Sequence, residues 1–234
     1  MIHIFKKEFY TYFSTPFGFV FMGIFLILSG IVFMTYNLLG GGGDLFGMFG
    51  LLSNITFMVF PILTIKLFAD ERRSGAESLL LASRLNSTQI VLGKYFAAVS
   101  VFLLTLSATL VYVVILIIYG FPDLMSIAGS YIGFILLGMA FIAVCTFSSS
   151  LAETYLTAAI SSFGALVGLT MIGAFSRSIN IPVIKEIFSA LAITRQYDEF
   201  IRGIFRPGPI TYFISFIVIS LALTIFNLDR RRFS

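Results

Sequence analysis

Long runs of apolar residues, separated by short polar connections, constrain this chain more than any other feature. Six such runs cover roughly residues 17–39, 46–68, 95–119, 127–151, 154–176 and 209–228. A helix needs about 20 residues to cross a hydrocarbon core of about 30 Å. Because lipid cannot satisfy backbone hydrogen bonds, a membrane-crossing run of this kind must pair its own backbone groups. The sequence therefore predicts an all-α integral membrane protein with six transmembrane helices.

The composition excludes several classes of function. Of the 234 residues, 59% are hydrophobic and 11% are charged, whereas an average soluble domain has about 25% charged residues. The single cysteine, Cys145, excludes a disulfide framework and a cysteine-based metal site. The single histidine, His3, excludes the helix-borne histidine pair of an intramembrane metalloprotease. The net charge of +4 comes from basic residues at span ends, which indicates membrane anchoring and no nucleic-acid partner.

The distribution of lysine and arginine predicts the orientation. With the N-terminus in the cytoplasm, ten of the 15 basic residues lie on the cytoplasmic side and five on the other side. Cytoplasmic loops carry such an excess, and the run "LDRRRF" at 228–233 is the strongest anchor. The first apolar run is too long for a signal-peptide core, so it is expected to be retained. We predict a single transmembrane domain over residues 1–234, with both termini cytoplasmic.

Two amphipathic segments accompany the predicted spans. In residues 1–15, Ile2, Phe5 and Phe9 share one arc of a helix with Tyr12 and Phe13, which predicts an interfacial helix on the cytoplasmic leaflet. Residues 177–208, before the last span, repeat apolar residues at helical spacing in two short stretches ended by "RPGP". These stretches are too short and too charged to span. They predict amphipathic or re-entrant helices at the extracytoplasmic surface.

Polar residues within the spans are few. No Asp, Glu, Lys or Arg falls near the middle of a span, which disfavours a proton-coupled secondary transporter. A sodium site built from backbone carbonyls would escape this test. The candidates for a translocation path or a helix interface are Asn54, Thr56, Ser161 and Ser162. Gly-x-x-x-Gly pairs at 129–133 and 164–168 would allow close helix approach.

The cytoplasmic connection "ADERRSGAESLLLASRLNSTQIVLGK", residues 69–94, contains seven of the chain's 26 charged residues. Ser74-x-x-Glu77 matches a capping box and predicts a short helix, and Asn86-x-x-Gln89 repeats the pattern before the third span. This helix would expose Leu79 and Leu80. A solvated membrane-surface segment is the alternative interpretation, but it has no need of a rigid apolar face. Such a face indicates a docking surface for a partner.

The chain has no nucleotide-binding motif. "LGKY" at 92–95 lacks both the upstream glycine and the following Ser or Thr of a phosphate-binding loop, and it opens a span. The sequence therefore predicts no catalytic residue, metal or cofactor in this chain. Any ATP-driven work needs another subunit.

The stretch "FADERRSGAESLLLASRLNSTQIVLGKYFA", residues 68–97, resembles the loop between the second and third spans of type-2 ABC transporter permeases. The bacterial gliding-motility-type permeases are the most similar. The matching positions are Glu71, Gly75, Leu79, Leu80, Ser83, Gly93 and Lys94. Ala76 and Arg84 stand where the family has Thr and Pro. "YDEFIRGI", residues 197–204, also resembles the family, through Phe200, Arg202 and Gly203.

The resemblance implies half of a type-2 exporter in the bacterial inner membrane. Residues 69–94 would form the coupling-helix loop, 1–15 the connecting helix and 181–204 the extracytoplasmic re-entrant pair. A separate nucleotide-binding subunit, which binds ATP and Mg²⁺, would dock on Glu71, Arg72, Arg73, Ser74, Gly75, Glu77, Leu79 and Leu80. The extracytoplasmic gate would contain Tyr197, Phe200, Arg202 and Gly203. A second permease copy, identical or different, membrane lipids and an auxiliary envelope protein are the other implied partners.

Two other functions stay open on the sequence alone. One is a non-transporting scaffold that uses the ABC architecture to anchor or regulate a cell-envelope complex. The other is a secondary transporter, which would run without an ATPase. Apolar walls with scattered Ser, Thr and Asn suit lipids, peptides and glycans alike, so the sequence does not identify a substrate.

Overall fold

The computed structural model describes residues 1–40, 45–73, 75, 86–119, 124–178, 192–201 and 207–232. These residues form helices joined by short turns, and no strand occurs among them. The helices are α1 (Ile2–Ser14), α2 (Pro16–Phe33) with a π-helical continuation (Met34–Leu39), α3 (Phe46–Thr56), α4 (Phe60–Thr64), α5 (Lys66–Arg73), α6 (Ser87–Ala108), α7 (Leu110–Tyr119), α8 (Leu124–Leu151), α9 (Tyr155–Ser178), α10 (Ile193–Ile201) and α11 (Pro207–Arg232). The prediction of an all-α chain is confirmed for these residues.

Five helical segments are long and apolar enough to cross a membrane. They are Pro16–Leu39, Ser87–Ile118, Met125–Leu151, Tyr155–Gly173 and Pro207–Arg232. Their outer faces carry large apolar side chains, such as Ile118 and Phe226, each 69% exposed. Such faces suit contact with lipid, so the chain is a multi-pass membrane protein.

The second predicted span, residues 46–68, is a broken helix. α3 ends at Thr56, and the N–H groups of Met58 and Val59 donate to carbonyls three residues back, at 3.2 and 2.9 Å. Pro61 has no N–H with which to continue an α-helical ladder across this turn. The second predicted span therefore consists of α3, α4 and α5, none of which is long enough to cross a membrane alone, and the count of six spans stays a prediction.

The three short helices nevertheless extend along α8 in chain order. Phe49 of α3 contacts Tyr131 of α8, with ring centroids 4.8 Å apart, and Phe60 of α4 contacts Phe141 at 5.6 Å. The α5 residue Arg72 reaches the carbonyl of Ser150. From residue 131 to residue 150, α8 rises about 28 Å. The broken segment therefore runs nearly the length of a membrane core beside α8.

α8 is the centre of the bundle and contacts α3, α4, α5, α6, α9, α10 and α11. Phenylalanine rings fill the space around it: Phe25, Phe49, Phe60, Phe102, Phe134 and Phe141 are buried and contact one another. Within a membrane, dispersion and aromatic contacts hold helices together, because lipid removes the hydrophobic driving force between them. This packing explains why the chain is rich in phenylalanine.

The two glycine pairs differ in the structure. A Cβ added at Gly133 would lie 2.6 Å from the Cβ of Phe200, so α10 packs directly on this glycine. Gly164 and Gly168 have no heavy atom within 4 Å of an added Cβ. Close approach therefore occurs at the first pair, whereas the second pair lies on an outer face of α9.

The two amphipathic segments also differ from prediction in detail. α1 buries Ile4 and Tyr12, while Ile2 is exposed. Ile4 lies within 3.0 Å of a Cβ added at Gly93, so α1 packs against α6. α10 begins at Ile193, earlier than the second predicted helix. The first predicted helix before it, residues 183–191, lies outside the described residues.

Candidate functional site

Lys94 is a charged side chain enclosed by protein, with 1% of its surface exposed. It lies in the second turn of α6 and faces both α1 and α5. Its Nζ is 3.1 Å from Oε1 of Glu8 and 2.9 Å from Oε1 of Glu71, and it donates to the carbonyl of Leu67 at 2.5 Å. The ammonium group donates hydrogen bonds to Oε1 of Glu8 and to the Leu67 carbonyl, and it forms an ion pair with Oε1 of Glu71. A buried charge is tolerated when it is paired and hydrogen-bonded in this way.

Four residues, Lys7, Glu8, Glu71 and Lys94, form what we call the Lys94 cluster. Lys7 Nζ lies 3.7 Å from Oε1 of Glu71 and 3.9 Å from Oε1 of Glu8. Two ammonium groups and two carboxylates balance in charge. The cluster joins the N-terminal helix α1, the broken-span helix α5 and the start of α6.

Arg72 joins the same end of the bundle to α8. Its guanidinium donates to the carbonyls of Ser150 and Ala152, at the C-terminal end of α8. The last carbonyls of a helix have no intrahelical partner and carry partial negative charge. Asn227 of α11 donates to the Ser150 carbonyl as well, at 3.0 Å. Arg72 and Asn227 therefore cap α8 from two sides.

Asp70 makes the third connection of this segment. The hydroxyl of Tyr155, in the first turn of α9, donates to the Asp70 carboxylate. Consecutive residues on a helix point about 100° apart. Asp70, Glu71 and Arg72 thus diverge, and they contact α9, the Lys94 cluster and α8, respectively.

The residues predicted to dock a partner divide into three groups. Glu71 and Arg72 make the internal contacts described above, and Arg73 is the last residue of α5. Gly75 has φ of +71°, a left-handed conformation that suits glycine, and its N–H donates to the carbonyl of Arg72 at 3.1 Å. Ser74, Glu77, Leu79 and Leu80 lie outside the described residues. Docking through this segment stays a prediction.

A polar cleft of about 260 Å³ adjoins the Lys94 cluster. Thr11 and Tyr12 of α1 and Thr15, which follows α1, line it together with Lys66 and Asp70 of α5. The Tyr12 hydroxyl donates to the carbonyl of Leu63 at 2.7 Å. Burial and the neighbouring charge of Glu8 raise the pKa of Tyr12 well above its ordinary value, so this hydroxyl remains a donor at neutral pH.

The predicted gate residues lie far from the Lys94 cluster. Phe200 packs on Gly133 of α8, whereas Arg72 binds the carbonyl of Ser150, and the 17 residues between these two positions span about 25 Å along the helix. Tyr197 and Phe200 are buried on α10, and the Tyr197 hydroxyl donates to the carbonyl of Phe49 at 3.1 Å. The contacts of Tyr197 with Phe49 and of Phe200 with Gly133 hold α10 between α3 and α8. Arg202 and Gly203 fall outside the described ranges.

The four polar candidates within the spans make mostly local hydrogen bonds. Asn54, Thr56 and Ser161 donate to the carbonyls of Gly50, Leu52 and Ala158, each within its own helix. Ser162 is fully buried and lies beside Cys145 of α8. Asn54 and Ser161 are exposed. These contacts place Ser162 at a helix interface, and Asn54 lines a pocket of about 210 Å³ between α3, α9 and α10.

Sequence reasoning missed the pairing of Lys94 with Glu8. It began the third span at residue 95, whereas α6 begins at Ser87, so Lys94 lies inside the helix. The sequence did contain a signal for this pair. Lys94 stands among apolar residues of a helix, where a charged side chain requires a partner of opposite charge, and Glu8 is the acidic residue of the amphipathic helix α1.

No protein-family model matches the chain, and no curated protein matches it. The geometry defines the candidate site: a buried ion cluster, a capped helix end and the Asp70–Tyr155 contact, which together connect the start of the 69–94 segment to α1, α6, α8 and α9.

Proposed function

We propose that this chain is the membrane-spanning permease subunit of an ATP-driven ABC transporter of the type-2 class. It acts as an exporter in the bacterial inner membrane, with both termini in the cytoplasm. The observation that carries the proposal is the 69–94 segment, which resembles a coupling-helix loop and begins at three consecutive residues that contact separate parts of the bundle.

These contacts support a mechanical role for the segment. A nucleotide-binding subunit docked on Leu79 and Leu80 would move the end of α5. Because Glu71 and Arg72 join that end to α1, α6 and α8, a movement of the end of α5 would be transmitted to these three helices. ATP and Mg²⁺ would be bound by the partner, and this chain would supply the path for the substrate.

The broken segment α3–α5 takes the place of the second crossing in this proposal. Together with the five long helices it gives six crossings and places residues 69–94 on the same side as α1. α10 then lies on the extracytoplasmic side, where Tyr197 and Phe200 belong to the gate.

The docking claim is tested by co-expression with the cognate nucleotide-binding subunit. We expect Leu80→Glu to abolish co-purification of that subunit and ATP turnover of the complex, because a charge would replace the apolar contact. Leu81→Glu is the matched control, since it lies about 100° away on the predicted helix. Unchanged assembly of the Leu80→Glu variant would contradict the proposal.

Transport itself needs a separate measurement. Inverted membrane vesicles that contain the complex should accumulate substrate only with ATP. A non-transporting scaffold would retain the docked subunit and show no ATP-dependent movement, so this assay separates the two functions.

A further inference from the structure

The N-terminal helix α1 has a basic outer face that takes no part in the Lys94 cluster. His3, Lys6 and Tyr10 are spaced three and four residues apart, so they share one face of the helix. All three are exposed, and Tyr10 is 74% exposed. Lys6 forms no hydrogen bond or ion pair with the residues that the structure describes. Its charge is therefore available to a ligand from outside the chain.

The acidic residue of α1 points the other way. Ile4, Glu8 and Tyr12 follow one another at a spacing of four, and together they form the inner face of the helix. Glu8 lies 3.1 Å from the Nζ of Lys94, and the Tyr12 hydroxyl donates to the carbonyl of Leu63. Because Glu8 is the only Asp or Glu in residues 2–14, the outer face of α1 carries positive charge without a carboxylate.

A row of phenylalanine rings borders this basic face. The ring centroids of Phe5 and Phe9 are 5.9 Å apart, those of Phe9 and Phe13 are 5.0 Å apart, and those of Phe13 and Phe19 are 5.9 Å apart. Phe19 belongs to α2, the first helix that is long enough to cross a membrane, and it is 57% exposed. The row therefore continues from α1 onto the outer side of a membrane-crossing helix, where large apolar rings favour contact with acyl chains.

α1 lies at the edge of the hydrocarbon core. It ends two residues before α2 begins, and its Ile4 packs beside Gly93, just before the apolar run that starts at residue 95. The apolar helical segment Ser87–Ile118 has 32 residues and rises about 48 Å, so it extends beyond a core of about 30 Å. Lys6 is three residues from Phe9, which makes them neighbours on the helix surface. Lys6 is thus placed where acyl chains meet headgroups.

We propose that the outer face of α1 selects anionic phospholipids, with Lys6 as the residue that contacts the headgroup phosphate. An ammonium group is a compact phosphate-binding donor, and the neighbouring Tyr10 hydroxyl and His3 ring have N–H or O–H groups to add. Tyrosine is itself enriched at the headgroup level of membranes. A zwitterionic headgroup brings its own cation close to Lys6, so its net attraction is weaker than that of an anionic headgroup.

This site does not depend on an ATPase partner. Lipid selection concerns the outer face of α1, whereas docking of a nucleotide-binding subunit concerns residues 69–94. Failure of the Leu80→Glu test would leave the lipid site in place, and failure of lipid selection would leave the docking proposal in place.

The test uses the absence of tryptophan from the sequence. Tyr10→Trp introduces a single fluorescent reporter on the outer face of α1. The purified full chain is placed in bilayers of phosphatidylcholine and phosphatidylglycerol, in which one of the two lipids carries bromine, a contact quencher, near the headgroup end of its acyl chains. The two quenching curves give the preference for phosphatidylglycerol next to the reporter. We expect a preference of about fivefold, the order of magnitude that one lysine gives at an anionic surface. Equal quenching by the two lipids would overturn the proposal.

A second reporter position is the control for location. Ile118→Trp lies at the far end of the Ser87–Ile118 segment, and Ile118 is 69% exposed. Both lipids should quench this reporter equally. A fivefold preference for phosphatidylglycerol at this position as well would mean that the anionic lipid surrounds the whole chain, and would overturn the assignment to α1.

Lys6→Gln, made in the Tyr10→Trp chain, is the decisive variant. We expect it to reduce the preference about fivefold, to near equality, whereas Lys6→Arg keeps the charge and should retain the preference. Arg230→Gln is the matched control, because it removes one positive charge from an exposed residue of α11. It should leave the preference next to α1 unchanged. An unchanged preference in Lys6→Gln, or an equal loss in Arg230→Gln, would overturn the proposal.

Salt provides a test that needs no change at Lys6. Raising the salt concentration from about 0.01 M to about 1 M shortens the screening length from about 30 Å to about 3 Å. The preference for phosphatidylglycerol next to the Tyr10→Trp reporter should then fall several-fold. A preference that is the same at both salt concentrations would show that charge does not select the lipid, and would overturn the proposal.

Discussion

The two ends of the bundle are stabilised by different interactions. At the Lys94 end, charged side chains from α1, α5 and α6 meet out of water, and Arg72 caps α8. At the α10 end, packing of Phe200 on Gly133 and the hydrogen bond from Tyr197 to Phe49 position the helix. Removing one partner of a buried charge leaves the other charge uncompensated and lowers the free energy of unfolding sharply. A change in apolar packing lowers it in proportion to the volume that is lost or added. The two ends should therefore respond differently to substitution.

The largest effect is expected at Lys94. Lys94→Met leaves the Glu8 and Glu71 carboxylates buried without their main cation, so we expect the free energy of unfolding to fall by about 3–5 kcal/mol. Lys66→Met is the control, because the Lys66 side chain is 21% exposed and its Nζ lies 3.9 Å from Asp70. It should cost about 1 kcal/mol or less. Thermal unfolding in mild detergent measures both.

A triple variant sharpens this test. Lys94→Met combined with Glu8→Met and Glu71→Met replaces the three buried charges of the cluster by apolar side chains and leaves Lys7, whose side chain is 64% exposed, in water. Replacing buried ion pairs or triads by apolar groups of similar volume is often close to neutral in stability. We expect the triple variant to recover most of the loss. If Lys94→Met alone melts as the original chain does, the cluster has no structural role.

A smaller effect is expected from packing at the other end. Gly133→Ala places a methyl group against Phe200 and should destabilise the chain by about 1–3 kcal/mol. Gly164→Ala is the matched control, since nothing lies within 4 Å of the added Cβ, and it should leave the melting temperature nearly unchanged. Equal effects of the two substitutions would mean that α10 does not pack as described.

The smallest effect compares one hydroxyl at each end. Tyr12→Phe and Tyr197→Phe each remove a donor to a backbone carbonyl and should cost about 1 kcal/mol. Tyr12 also gives a pH test, because its pKa is raised in the folded chain. Folding therefore favours the neutral hydroxyl over the ionised one. The contribution of Tyr12 to the free energy of unfolding is complete below about pH 10, the pKa in the unfolded chain, and is lost as the pH rises through the higher pKa of the folded chain. Unfolding in alkali should be less steep in Tyr12→Phe, and an identical pH profile would exclude the Tyr12 contribution.

Much of the fold follows from local patterns in the sequence. Apolar run length predicts the five long helices, and helical spacing predicts α1 and α10. Asn86 stands at the start of α6 with an extended backbone, as its capping pattern suggests, although its side chain makes no capping hydrogen bond. These features depend on neighbours within a few turns, which a sequence displays directly.

The remaining features depend on residues far apart in the chain. Lys94 and Glu8 are separated by 86 positions, and Arg72 and Ala152 by 80. Hydropathy also averages over Pro61, so it predicts one span where the backbone forms three helices. The pocket between α3, α9 and α10 was not predicted from the sequence, because its lining residues, such as Asn54, Thr170 and Asp198, lie on three separate helices.

The divergence of Asp70, Glu71 and Arg72 has a consequence for chain length. If one residue were inserted earlier in α5, each of these side chains would turn by about 100° and face a neighbour's former partner. The Glu71 carboxylate would then point away from Lys94, and the Arg72 guanidinium would no longer reach the carbonyls at the end of α8. A substitution changes one of these contacts, whereas an insertion or deletion changes all three together. The triplet thus fixes the rotation of α5 about its own axis relative to α6, α8 and α9.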